Sequence, residues 1–100
     1  MATLYIAEYE RMPTIEGKFA QAALEPSTDQ TLTIGTVSTS SSAFSATTHI
    51  VRLHTDAICS VKFSPAPTAT SAMKRLAAGS TEYFAVPVGQ VYKVAVITNS

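Results

Sequence analysis

The chain has 100 residues, 46% of them apolar and only 14% charged, with seven basic and seven acidic side chains and no formal net charge. That length is a single domain, and a neutral chain lacks the basic face that displaces counterions from phosphates, which argues against a nucleic-acid partner. Low, balanced charge favours self-association, so the expectation is a homo-oligomer of unspecified order.

In chain order, the first signal is Thr3 to Tyr9, TLYIAEY, rich in β-formers and read as a first strand or extended arm. Residues 12–26 are ambiguous. GKFAQAALEP holds helix formers, with Phe19, Ala22 and Ala23 at helical spacing, but Pro13 and Pro26 bracket it, so a short helix and an extended segment both remain open. Thr31 to Val37, TLTIGTV, alternates Leu32 and Ile34 with threonines as a half-buried strand does, and Gly35 is a candidate bulge. Ser38 to Thr48, STSSSAFSATT, is a run of small residues around one aromatic, Phe44.

The second half is clearer. His49 to Thr55 and Ile58 to Ser64 read as two strands of a hairpin around Asp56-Ala57. A two-residue turn would pair His54 with Cys59 and Arg52 with Val61. A three-residue turn pairs Leu53 with Cys59 and Val51 with Val61. The second register gathers Val51, Leu53, Cys59, Val61 and Phe63 on one face and leaves Arg52, His54, Ser60 and Lys62 on the other. A one-residue slip flips every side chain, so the cleaner apolar face is preferred. SAMKRLAAG fits either one helical turn ending at Gly79 or an irregular strand. EYFAV and QVYKVAVIT then flank Pro87-Val88-Gly89, a three-residue hairpin loop with glycine at the left-handed position. It predicts pairs Val86 with Gln90, Phe84 with Tyr92 and Glu82 with Val94, and an apolar face of Phe84, Val86, Tyr92, Val94 and Val96.

Six or seven short strands with polar turns make an all-β fold, an antiparallel β-sandwich or small barrel of jelly-roll-like type with an extended N-terminal segment. Residues 1–27 are read as an N-terminal strand or arm belonging to the same unit as a β-domain over 28–100, one domain overall.

No motif points to catalysis, a cofactor or a metal. Cys59 and His54 fall on opposite faces in the preferred register, so they do not form a nucleophile and base. Cys59 reads as a buried, inert hydrophobe. His49 and His54 differ by an odd number and point to opposite faces of one strand. There is no C-x-x-C, H-E-x-x-H or G-x-S-x-G pattern. The acids Glu8, Glu10, Glu16, Glu25 and Asp29 cluster in the N-terminal third and read as solvated or partner-facing. No apolar run reaches membrane-span length, so no membrane partner is expected. The opening MATLYIAEYERM lacks signal-peptide character, and one cysteine cannot form an internal disulfide, so synthesis in a reducing cytoplasm is expected.

The segments SAFSATTHIVRLHTDAICSVKF and PTATSAMKRLAAGSTEYFAVPVGQVYKVAVI, spanning Ser42 to Ile97, carry a resemblance. An aromatic stands in a small polar run, a V-R strand and a D-x-x-C turn follow, then P-T-A-T, E-Y-F, a glycine turn and a V-A-V-I strand. MATLYIAEY also fits. Together they resemble a recurrent type of small bacteriophage virion protein. The resemblance implies a head decoration or cement protein whose partners are the major capsid protein and its own copies, located in the virion, with no catalytic residues. A tail or connector component is the alternative it leaves open. In that pattern the Ser/Thr run belongs to the domain, and Phe44 anchors it to the core.

A small carbohydrate- or host-binding β-module is a separate reading. It is weakened by the absence of tryptophan and the presence of a single asparagine, Asn99. Residues 5–26 show scattered apolar groups without a sustained period, so Tyr5, Tyr9, Phe19 and Leu24 are the candidate shell contacts.

Overall fold

The computed structural model of the chain describes residues 2–9, 14–15, 18–19, 28–87, 89 and 91–99. Among them are ten strands and no helix: β1 (Thr3–Tyr9), β2 (Thr14–Ile15), β3 (Lys18–Phe19), β4 (Thr28–Thr33), β5 (Thr39–Ser40), β6 (Ile50–Thr55), β7 (Cys59–Ser64), β8 (Lys74–Leu76), β9 (Thr81–Ala85) and β10 (Lys93–Thr98). Strands β4-β1-β6-β9 form one four-stranded sheet and β5-β10-β7-β8 a second, while β2 and β3 pair as a small ribbon. All ladders are antiparallel.

The two larger sheets pack as a sandwich. Leu4, Ile6, Leu32, Val51 and Leu53 of the first sheet meet Cys59, Val61, Leu76, Val94 and Val96 of the second in one core. Alternation explains the choice of face: on β1, β6, β7 and β10 the two named residues stand two positions apart, so each strand turns one apolar edge inward. Phe63, between Phe44 and Phe84 with ring centroids 6.2 and 5.0 Å away, bridges the sheets near one end.

The winding is that of a jelly roll. β5 pairs with β10, β6 with β9 and β7 with β8, so the chain from Thr39 to Thr98 is a long doubled ribbon folded across two sheets. The place beside β4 that a further strand after β10 would fill is taken by β1, which pairs with β4 on one side and β6 on the other. The first strand is therefore an interior strand, and it matches its predicted span of Thr3 to Tyr9.

Both predicted hairpins need correction. β6 and β7 lie in different sheets, as do β9 and β10. Leu53 pairs with Ile6 and Glu82, not Cys59, and Val61 pairs with Val96 and Lys74. Val94 pairs with Phe63 rather than Glu82. The turns at Asp56-Ala57 and around Gly89 are arches that carry the chain across the core. The apolar faces were right and the partners wrong, because two strands facing one core from opposite sides show the same alternation as two strands of a hairpin.

Smaller differences follow the same logic. The strand predicted over Thr31 to Val37 begins earlier, at Thr28, and ends at Thr33, with Gly35 beyond it in the link to β5. Met73 to Gly79 holds β8 rather than a helical turn. Gly79 and Gly89 have φ of 75° and 78°, a left-handed conformation that glycine adopts without penalty. Within 12–26, Thr14–Ile15 and Lys18–Phe19 are strands, and the rest of that ambiguous segment lies outside the described residues.

Candidate functional site

The two sheets present very different outer faces. On the second sheet, residues 65–73 between β7 and β8 lie across the strands. The Pro67 carbonyl accepts from Ser40 Oγ at 3.2 Å, and the Ala69 amide donates to Ser38 Oγ at 2.9 Å. Asn99 Nδ2 donates both to Ser60 Oγ at 2.7 Å and to the Ser71 carbonyl at 3.1 Å. Beneath this strap Ser60 and Ala95, which alternate away from the core, are fully buried. Ser60, expected on a solvent face, is thus an inner residue of a covered surface.

The first sheet has an open groove of about 410 Å³ on its outer face. Its lining comes from three neighbouring strands: Tyr5 and Ala7 of β1, Asp29 and Thr31 of β4, Arg52 and His54 of β6. The ladders fix the arrangement. Thr31, Tyr5, His54 and Thr81 form one cross-strand row, and Asp29, Ala7, Arg52 and Tyr83 the next. Ala7 is the floor, with a carboxylate on one side and a guanidinium on the other. Among the described residues the ion pair formed is Lys74 with Glu82 at 3.2 Å, so Asp29 and Arg52 are not joined to each other across the groove. Tyr5 is 44% exposed, and its ring lies 6.2 Å from that of His54. His54 Nδ1 is held by Thr81 Oγ1 at 2.8 Å.

One end of the sandwich is built differently again. Glu8 follows Leu4 and Ile6 on the inward edge of β1 and is fully buried. Its carboxylate accepts from the Ser45 amide at 2.8 Å, Thr48 Oγ1 at 2.9 Å and Gln30 Nε2 at 3.0 Å. It pins the Ser/Thr run onto the sheet, and Phe44 inserts beside it, 6% exposed. Phe44 is therefore the anchor the sequence suggested, whereas the reading of Glu8 as solvated or partner-facing is overturned. A buried carboxylate needs several donors, and the loop supplies two of those described. Val86, Gly89 and Tyr92 join the same end: the Gly89 amide donates to the Ala46 carbonyl, the Phe44 amide to the Tyr92 carbonyl, and the Val86 amide to the His49 carbonyl.

The remaining candidates are placed plainly. Of the proposed shell contacts, Tyr5 lines the groove and Tyr9 is buried in its own domain. Phe19 lies in β3, its side chain outside the described residues, as is Leu24 entirely. Cys59 is a free, fully buried thiol whose Sγ donates to Thr55 Oγ1 at 3.5 Å. Burial pushes its pKa above the ordinary value, partly offset by that hydrogen bond, so it stays a protonated core residue. His49 and His54 do not converge, and among the described residues no group of three His, Cys, Asp or Glu side chains is placed to hold a metal ion.

The fold thus defines a β-sandwich of jelly-roll winding with one strapped face, one open grooved face and one end closed by two stapled loops. No protein-family model, curated protein or solved structure matches this chain.

Proposed function

We propose that the chain is a structural virion protein, a decoration or cement protein that docks on an assembled phage head and stabilises it. The reading starts from the motif resemblance over Ser42 to Ile97. The observation that carries it further is a pair of charge-free loops at one end of the sandwich. Residues 38–48 and 84–92 contain no Asp, Glu, Lys or Arg, and hydrogen bonds between them hold the two loops together. Ser42, Ala43, Ala46, Pro87 and Val91 are exposed there. Depletion of charge marks the core of protein interfaces, and small residues on a rigid backbone allow close approach. β1 ends and β4 begins at this end, since Glu8 pairs with Thr28, so the segment containing Phe19 and Leu24 leaves and returns beside it. Those two residues remain candidate contacts, with Tyr9 at the root.

The partners in this reading are the major capsid protein and neighbouring copies of the chain, and the role is surface burial across subunits rather than catalysis. Binding to the assembled shell and not to free subunits stabilises the shell by mass action.

The test uses virions purified from infected host cells. Mass spectrometry should find the chain in heads, and Ala46→Glu should abolish its retention while leaving the melting temperature of the free protein unchanged. Absence from purified particles would overturn the reading, as would undiminished retention of the variant. Recovery with isolated tails instead of heads would move the assignment to a tail or connector component.

A further inference from the structure

We propose that the groove on the outer face of the β4-β1-β6-β9 sheet is a binding site for a neutral saccharide, a hexose unit of a glycan. The sequence alone counted against a sugar site because the chain has no tryptophan and a single asparagine. The ladder register brings other polar and aromatic groups together. Ala7 pairs with Asp29 on one side and Arg52 on the other, which sets those two residues about two strand spacings apart, roughly 10 Å between backbones. The gap between them is floored by a single methyl group. Tyr5 stands at its border, 44% exposed and beside the His54 ring.

Each group matches one part of a pyranose. The exposed tyrosine ring offers an apolar surface with a polar tip, suited to the C–H face of a sugar. The Asp29 carboxylate accepts from adjacent hydroxyls, and the planar Arg52 guanidinium donates to hydroxyl or ring oxygens. Thr31 adds a hydroxyl at the rim. The opposed charges of Asp29 and Arg52 cancel across the site, so it selects neither an anion nor a cation. One arginine facing a carboxylate is a poor phosphate site. The size, about 410 Å³, falls in the range of about 300–1,000 Å³ typical of small-molecule sites. Rigidity also favours recognition. β1 and β6 are paired on both sides, and His54 is fixed by Thr81, so the backbone beneath Tyr5, Ala7 and Arg52 needs no ordering by the ligand.

The site lies on a face distinct from the charge-free loops, and the inference does not depend on the virion reading. Its test uses the free protein. Amide chemical shifts are followed by NMR during titration with glucose, galactose, mannose, N-acetylglucosamine and their short oligosaccharides, with inorganic phosphate and glucuronate as separate arms. At least one neutral sugar should shift amides around Tyr5, Ala7, Thr31 and Arg52, with millimolar affinity for a monosaccharide. Tyr5→Ala and Asp29→Asn alter exposed side chains, and each should weaken binding at least about tenfold with an unchanged melting temperature. No shift with any neutral sugar overturns the proposal. So do shifts centred elsewhere, binding unaffected in both variants, or a response confined to phosphate or glucuronate.

Discussion

The two outer faces of this sandwich begin from similar strands and end in opposite states. On the β5-β10-β7-β8 sheet, Ser60 and Ala95 are small, and a proline-containing strap crosses them, tied down by Ser38, Ser40 and Asn99. On the β4-β1-β6-β9 sheet, Tyr5, Arg52 and Asp29 stand around Ala7 and the groove between them stays open. Small side chains let a backbone lie close, and large polar ones hold it away. A four-stranded sheet can thus be closed by its own loop or left open to a partner, according to a few outward positions.

Substituting the same charge on both faces tests that contrast most strongly. Ala95→Glu forces a long, charged side chain into a fully buried site, and should lower stability by about 3 kcal/mol or more. Thr31→Glu, exposed on the open face, should change it by no more than about 0.5 kcal/mol. Urea unfolding measures both, and equal effects would show that the strap does not seal the second sheet.

Next in size is the buried carboxylate at the stapled end. Glu8→Ala removes the acceptor for the Ser45 amide, Thr48 hydroxyl and Gln30 amide, and should cost about 2–3 kcal/mol. Hydrogen exchange at residues 41–48 should accelerate more than exchange in β7 or β10. Uniform acceleration would mean that Glu8 supports the whole core rather than this loop.

A smaller effect is expected where the strap is tied. Asn99→Ala loses the hydrogen bonds to Ser60 and to the Ser71 carbonyl, for about 1 kcal/mol. Limited proteolysis should then cut within 65–73 sooner. Unchanged cleavage would place the strap's stability elsewhere, in the contacts of Ser38 and Ser40.

The smallest change has the opposite sign. The Tyr83 hydroxyl, in the Arg52 row of the open sheet, is buried with no hydrogen-bond partner. Tyr83→Phe removes an unsatisfied group without opening a cavity, so the melting temperature should stay constant or rise slightly, by less than about 1 kcal/mol in stability. A clear loss of stability would mean that the hydroxyl is paired in solution.

How much of this was readable beforehand follows from what alternation encodes. β1 was legible to the residue, because TLYIAEY is rich in β-formers. So were the inward sets Val51, Leu53, Cys59, Val61 and Phe84, Val86, Val94, Val96, since a period of two places every second side chain on one face. Glycine at 89 marked a left-handed turn, because few other residues adopt it cheaply. Glu8 belonged to the inward set by the same count from Leu4 and Ile6, a signal obscured by its charge.

Pairing was decided by the tertiary structure. Alternation says which face is buried and is silent on which sheet a strand joins, so two arches had the sequence signature of two hairpins. The groove was invisible for the same reason. Ala7, Asp29 and Arg52 are 22 and 23 residues apart in sequence and become neighbours only through the β1 ladders. Burial of Ser60 and Ala95 likewise required the strap to fold back over its own sheet. The sequence by itself set strands β1, β6, β7, β9 and β10, their inward edges and the low, balanced charge. The long-range ladders, whose partners local pattern does not specify, chose which sheet each strand entered and which side chains met outside the core.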